Sequence, residues 1–177
     1  MLMIALVKSA LSNRYLALFG FAAISAAALA AAFISQYVYG LQPCILCLYQ
    51  RVPFGIVIGL GILGLAFSSR KGGKAAPLFF GLMALTFAAN AVIAFYHTGV
   101  ERHWWASFLE GCAVPDIEGN ITDVLARIQA TPPVRCDQIP WTDPFLGLSM
   151  ANYNVVMCLG LAMVALYALC LSRRNQT

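Results

Sequence analysis

The chain has 177 residues, of which 61% are hydrophobic and only 10% are charged. A soluble domain is ordinarily about 45–50% apolar and about 25% charged, so this chain has too few charges to cover a soluble globule. The mean hydropathy of +0.79 agrees with this. The length suits one domain, and the composition places that domain in a lipid bilayer.

Four stretches without charged residues are long enough to cross a bilayer. A spanning helix needs about 17–25 mostly apolar residues, and helices are required because lipid cannot hydrogen-bond free backbone groups. The predicted spans are residues 15–35, 46–67, 76–96 and 153–171. We therefore predict an all-α membrane protein, a single integral membrane domain over residues 1–177 that forms a four-helix bundle.

The charged residues divide unequally between the two sides of this bundle. All seven acidic residues lie in one long outer loop, residues 97–152. The segments 1–14, 68–75 and 172–177 contain basic residues and no acidic ones. Short basic loops stay in the cytoplasm, so both termini are predicted to be cytoplasmic and the loops at 36–45 and 97–152 to lie outside. We expect the basic segments to contact anionic lipid and not nucleic acid.

The first span has a competing interpretation as a signal peptide, because basic residues precede it and small residues fill positions 26–32. Its apolar stretch of about 20 residues is longer than the usual 7–15 of a signal-peptide core. We interpret it as a retained helix.

The long outer loop contains an apolar pattern at helical spacing. The residues concerned are Ile117, Ile121, Val124, Leu125 and Ile128. They predict a short amphipathic helix that ends before Pro132. This helix can lie on the membrane surface or pack on the loop's own core, and the pattern is compatible with both.

Four of the six cysteines are predicted to face one compartment. Cys44 and Cys47 form a Cys-x-x-Cys motif at the outer mouth of the second span, and Cys112 and Cys136 lie in the long outer loop. Two membrane crossings separate the pairs, so both face the side opposite the basic loops, where disulfides persist.

The Cys-x-x-Cys pair is suited to electron exchange. Its disulfide closes a very small ring and gains little from loop-closure entropy. Arg51 follows Cys47 by four residues and Cys44 by seven, on the same helical face. Its charge would favour a thiolate or an anion formed there, although an arginine at this boundary can also simply reach water or lipid phosphate. Pro53 leaves open whether regular helix begins at Cys44 or only near Tyr49.

The second cysteine pair and His97 each have two interpretations. A disulfide between Cys112 and Cys136 could staple the loop, worth about 3 kcal/mol in chain entropy, or could pass oxidising equivalents to the first pair. His97 could be an interfacial polar tip, or could donate to a ligand headgroup or carry a proton.

Zinc binding is the main alternative to redox chemistry at these residues, because four cysteines can form a tetrahedral zinc site. The second pair lacks the short spacing of a zinc knuckle and the outer side is oxidising, so we predict no metal site. Cys158 and Cys170 lie within the fourth span and are expected to be packing residues.

The segment Gln42–Arg51, QPCILCLYQR, resembles the Pro-Cys-x-Leu-Cys-x-x-x-Arg signature of the DsbB family. These are bacterial inner-membrane proteins that reoxidise the thiol oxidase DsbA. The resemblance covers nearly the whole chain and includes the sequence from Phe145 to Leu148 before the last span. Gln50 stands where some members carry an acid.

The resemblance implies a quinone-dependent protein-dithiol oxidoreductase whose redox cysteines face the periplasm. A reduced DsbA-like carrier would attack Cys112 and release Cys136. Cys136 would then attack Cys44 and free Cys47 to reduce a membrane quinone, either ubiquinone or menaquinone.

By the same resemblance, the quinone site would contain Cys47, Arg51 and His97. Two alternatives remain. One is a four-helix membrane scaffold whose outer loop is held by static disulfides, and the other is a relative of the same fold dedicated to one particular substrate.

Overall fold

The structure, a computed structural model, describes residues 9–70, 74–109, 112, 120, 122 and 134–175. The helices in these parts of the chain are α1 (Arg14–Tyr37), α2 (Ile45–Arg70), α3 (Ala76–Glu101) and α4 (Met150–Arg174). All four are long and apolar enough to cross a membrane. The predicted all-α class and the number of spans are therefore confirmed.

The helices extend beyond the apolar windows that predicted them. At 1.5 Å per residue, the 26 residues of α3 measure about 39 Å, more than the roughly 30 Å of a bilayer's hydrocarbon core. The apolar window ended at residue 96, but α3 continues to Glu101, so His97 and Glu101 are helical residues and not loop residues. The helix continues because its backbone hydrogen bonds do not require apolar side chains.

Hydrogen bonds at both ends of the bundle show that neighbouring helices run antiparallel. The Tyr15 hydroxyl at the start of α1 donates to the carbonyl oxygen of Ser68 near the end of α2, at 3.4 Å. At the opposite end, the Ser149 hydroxyl that caps α4 donates to the Glu101 carboxylate at the end of α3, at 2.5 Å. The first and last described residues therefore lie at one end of the bundle. Their cytoplasmic location stays a prediction.

An apolar core fills the middle of the bundle. Its largest side chains are aromatic and come from three helices, with ring centroids of Phe21 and Phe80 6.2 Å apart and those of Phe54 and Phe87 6.4 Å apart. The fourth helix contributes small residues, including Ala165. Small residues let helix backbones approach closely, which is how helices associate where lipid provides no hydrophobic driving force.

The amphipathic helix predicted in the long loop lies almost entirely outside the described residues. Of the segment 117–128, the structure describes only Asn120 and Thr122. The helix stays a prediction.

An aromatic side chain covers the outer end of α3. The indole of Trp105 stacks on the ring of Tyr96, with centroids 6.0 Å apart, and its Nε1 donates to the Tyr96 carbonyl at 3.1 Å. The ring also lies directly on Gly99, where an added Cβ would come within 1.9 Å of the indole. This close approach requires glycine at position 99.

We predict that Gly99→Ala destabilises the protein, because the new methyl group must displace a ring that is already fixed by stacking and by a hydrogen bond. The cost of such overpacking is typically about 1–3 kcal/mol. The measurement is thermal unfolding of the purified protein in detergent. Gly81→Ala in the same helix is the matched control, because its nearest neighbour is Leu169 Cδ2 at 3.9 Å. A Gly99→Ala protein as stable as the control would contradict this packing.

Candidate active site: the cysteine cluster

Cys44 sits at the N-terminal end of α2 and caps it. The helix begins at Ile45, and its first turn is closed by the amide of Leu48, which donates to the Cys44 carbonyl at 3.1 Å. The amide of Cys47 donates to Cys44 Sγ at 3.4 Å, so the sulfur accepts a bond from one of the free N–H groups of the helix end. Regular helix therefore starts directly after Cys44.

Pro53 does not end α2. The helix passes through this residue and continues to Arg70. Proline has no backbone N–H, so the carbonyl of Tyr49 loses its usual helical partner while the flanking turns remain intact. The positive end of the α2 dipole consequently lies at Cys44, where it stabilises a thiolate.

The two sulfurs of the Cys-x-x-Cys motif are thiols in contact, with their Sγ atoms 3.1 Å apart. Cys44 Sγ also lies 3.5 Å from Nε2 of His97 on α3. The His97 ring is 3% exposed, and its Nε2 lies 3.7 Å from the Glu101 carboxylate one turn further along α3. A thiol, an imidazole and a carboxylate thus form a continuous buried series.

These contacts lower the pKa of Cys44 to about 4. The largest cause is the thiol of Cys47, which donates to the Cys44 thiolate. The hydrogen bond and the charge of His97 act in the same direction, while burial opposes them. Cys44 is therefore the nucleophilic sulfur of the pair near neutral pH, because the thiolate is the reactive form.

The outer cysteine pair is joined in a disulfide between Cys112 and Cys136. Both residues are buried, and they pack in one apolar cluster with Cys44, Leu46 and Val100. The structure thus brings the outer disulfide and the inner dithiol to the same end of the bundle.

Arg51 points to a different neighbour. Its Nη1 donates to Gln36 Oε1 at 2.7 Å, and its guanidinium lies over the Phe33 ring with Cζ 5.1 Å from the centroid. Both partners belong to α1, whereas Cys44 contacts α3. The guanidinium is therefore oriented by α1, on the outer part of α2.

Sequence reasoning missed a group of buried and half-buried polar residues behind His97. Gln50 Nε2 lies 2.8 Å from His97 Nδ1, and the Gln50 oxygen accepts from Asn154 Nδ2 at 2.6 Å. Asn90 and Cys158 continue this series into the bundle. Cys158 is thus a hydrogen-bonding residue as well as a packing residue. The sequence signal for this group was the presence of polar side chains within apolar spans. Such side chains are costly in lipid and are typical of functional sites.

The cluster also has a metal-like spacing. Ligand atoms of Cys44, Cys47 and His97 lie within 4.8 Å of one another. The four-cysteine zinc site considered above would need thiolates at Cys112 and Cys136, which are bonded to each other in the structure. The described geometry is that of a dithiol beside a disulfide.

A bundle of membrane-spanning helices with a reactive dithiol packed against a loop disulfide defines a thiol–disulfide oxidoreductase of the membrane. The family description "Disulfide bond formation protein DsbB" matches residues 13–168. This chain belongs to the DsbB family and is a membrane disulfide bond formation protein, as the sequence signature predicted.

Several curated relatives carry the name "Disulfide bond formation protein B". The protein from Xanthomonas campestris pv. campestris (strain 8004) is 32% identical over 166 residues, which cover 85% of this chain and 87% of the relative. Those from Hahella chejuensis and Stutzerimonas stutzeri are 30% and 28% identical, covering 89% and 82% of this chain and 94% and 88% of the relatives. No solved structure matches the chain.

We predict that the pH midpoint for alkylation of Cys44 in the reduced protein lies near 4 and rises when either donor is removed. His97→Phe should raise it, and Cys47→Ala should raise it further because the Cys47 thiol is the larger cause. The measurement is the rate of iodoacetamide labelling at Cys44 against pH, followed by mass spectrometry.

The control for this series is His103→Asn. His103 is exposed and has a φ of 57°, a conformation that asparagine tolerates. This variant should keep the wild-type midpoint. A midpoint near the ordinary thiol value of about 8.5 in the unaltered protein would contradict the site geometry.

Proposed function

We propose that this protein reoxidises a periplasmic DsbA-like dithiol carrier by a disulfide relay, and that the electrons pass to a membrane quinone. The single observation that carries the proposal is the packing of Cys44 in one buried cluster with both cysteines of the outer disulfide. The unequal distribution of basic residues supports a periplasmic location of this end, because short basic loops stay in the cytoplasm.

The first exchange takes place at the outer disulfide. A carrier thiolate attacks Cys112 Sγ, forms a mixed disulfide and breaks the bond to Cys136, which leaves as a thiolate. Cys112 is 1% exposed, so its sulfur must become accessible before a carrier thiolate can attack it in line. The carrier's second thiol then closes the carrier disulfide and releases Cys112.

The second exchange moves the oxidising equivalent outward from the inner pair. With the inner pair oxidised, the Cys136 thiolate attacks Cys44 Sγ and releases Cys47. Attack of Cys112 on Cys136 reforms the outer disulfide and releases Cys44 as a thiolate. The products are a Cys112–Cys136 disulfide and an inner dithiol, the same bonding that the structure contains. Two electrons have moved from the carrier to the inner pair.

A quinone, when bound, supplies the acceptor for the two electrons and two protons of the inner dithiol. The outer part of α2 suits such a lipid-soluble group, because Leu48 and Val52 are exposed apolar side chains beside the redox pair. Cys47 is half-buried there, and the Arg51 guanidinium is held by α1. We assign Cys47, Arg51 and His97 to this site. Arg51 would stabilise negative charge that develops on a bound oxygen.

We predict that Cys44→Ser abolishes carrier oxidation, because it removes the sulfur that links the two pairs. Cys112→Ser should block transfer from the carrier while the inner pair still reacts with a soluble quinone analogue. The measurement is quinone reduction by purified protein with reduced carrier, and separately with a small dithiol. Cys170→Ser, an exposed position on α4, is the control and should retain full turnover.

The same experiment tests the alternative of a static scaffold, which the burial of both outer sulfurs favours. A purely structural disulfide contributes only to stability. A Cys112→Ser, Cys136→Ser double variant that folds and oxidises the carrier at the normal rate would therefore overturn the relay and leave the outer disulfide as a structural bond.

We predict that Arg51→Ala raises the KM for the quinone analogue or lowers kcat by about tenfold or more, because a fixed donor and charge are lost from the acceptor site. The quinone kinetics of Arg51→Lys should lie between those of the wild type and Arg51→Ala, since lysine keeps the charge but not the planar group that contacts Gln36. Arg173→Ala, at the other end of the bundle, is the matched control. Unchanged quinone kinetics in Arg51→Ala would remove this role.

A further inference from the structure

A continuous series of hydrogen bonds runs from the interior of the bundle to His97. Asn90 Nδ2 lies 3.4 Å from Cys158 Sγ, and that sulfur lies 3.2 Å from Asn154 Oδ1. Asn154 Nδ2 lies 2.6 Å from Gln50 Oε1, and Gln50 Nε2 lies 2.8 Å from His97 Nδ1. The series crosses α2, α3 and α4.

The inner end of this series has a fixed direction. Asn90 Nδ2 also donates to the backbone carbonyl of Gln50 at 3.2 Å. A carbonyl oxygen can only accept, so turning the Asn90 amide over would place two oxygens against each other. Its N–H groups therefore face both this carbonyl and the Cys158 sulfur.

The orientation of Asn90 determines the donor and the acceptor of each following hydrogen bond in the series. Because Cys158 Sγ accepts from Asn90, its S–H is free to donate to Asn154 Oδ1. The Asn154 amide then presents its nitrogen to Gln50 Oε1, and the Gln50 amide presents its nitrogen to His97 Nδ1. The reversed series would leave the Cys158 S–H without its acceptor.

The outer end favours the same direction independently. His97 Nε2 faces Cys44 Sγ at 3.5 Å and the Glu101 carboxylate at 3.7 Å. Glu101 already accepts a hydrogen bond from the Ser149 hydroxyl, which itself accepts one from the backbone N–H of Asn152. A thiolate and a carboxylate are both acceptors, so a proton is needed on Nε2.

We propose that Gln50 and Asn154 are positioning residues that hold neutral His97 as the tautomer protonated on Nε2, with that N–H directed at Cys44. Gln50 Nε2 donates a hydrogen bond to His97 Nδ1, so Nδ1 carries no proton. The two amides thereby ensure that the imidazole offers the redox sulfur a hydrogen bond and not a lone pair. The inference concerns the same site as the proposed function, but it requires neither carrier nor quinone.

Two nearly isosteric substitutions should place a proton on His97 Nδ1. Gln50→Glu replaces the donor at Nδ1 by an acceptor, so Nδ1 takes up a proton. Asn154→Asp replaces the donor to Gln50 by an acceptor, so the Gln50 amide turns over and presents its oxygen to Nδ1. The two variants act at different distances from His97 and should have the same consequence.

The test is ¹⁵N NMR of the full-length protein with labelled histidine, at about pH 8.5, where imidazole is neutral. The chain has two histidines, so all samples carry His103→Asn to leave His97 as the only signal. The expected wild-type spectrum has a protonated Nε2 and an unprotonated Nδ1. In Gln50→Glu and Asn154→Asp, Nδ1 should be protonated.

The matched control is Asn13→Asp, the same chemical change at the cap of α1, where aspartate caps as well as asparagine. It should keep the wild-type spectrum.

A wild-type spectrum with a proton on Nδ1 would overturn the proposal, and so would a folded Gln50→Glu protein whose Nδ1 stays unprotonated. If a variant fails to insert, the wild-type spectrum still decides the matter. Loss of the proposed oxidase function would leave this spectrum unaffected, so the two proposals can fail separately.

Discussion

The contact between Cys44 Sγ and the His97 ring is the constraint on which the outer end of this bundle depends. The sulfur lies at the first turn of α2 and the ring near the last turn of α3, 3.5 Å apart. Only antiparallel neighbours in one particular register can bring these two residues together. A thiolate at this buried position would be costly on its own. Its environment offsets that cost with donors from the Cys47 amide, the Cys47 thiol and the imidazole.

Polar groups behind this contact make the register specific. Apolar side chains alone allow helices to slide or rotate with little penalty, since lipid solvates them equally well. Gln50, by contrast, must satisfy its backbone carbonyl with Asn90 and its side-chain oxygen with Asn154, and these partners lie on two other helices. A rotation of any one helix would leave buried polar atoms unpaired. The aromatic core in the middle of the bundle provides packing, and the polar series sets which faces meet.

The spans and the cysteine pairs were predictable because each depends on local sequence or on counting membrane crossings. Charge-free windows identified the four helices, and two crossings placed Cys44 and Cys112 on one side. The side chain that contacts Cys44 was harder to predict, because helical periodicity relates only residues of the same helix. Periodicity indicated Arg51, which in the structure contacts Gln36 of α1. The residue in contact with the sulfur is His97. The rotational setting of α3 against α2 depends on pairings across helices that no single segment contains.

The environment of Cys44 also bears on the direction of the proposed relay. In a thiol–disulfide exchange, the sulfur with the lower pKa leaves faster, and stabilising a thiolate favours the reduced form of its pair. The pKa of Cys44 is lowered to about 4 by Cys47 and His97. When Cys112 attacks a Cys136–Cys44 bond, Cys44 is therefore a good leaving group, and the bond returns to the outer pair. The same donors make the inner disulfide a stronger oxidant than it would be without them, because they stabilise the reduced form of that pair. An acceptor for the inner dithiol must then be more oxidising still, which is why the relay needs a terminal oxidant from outside the chain.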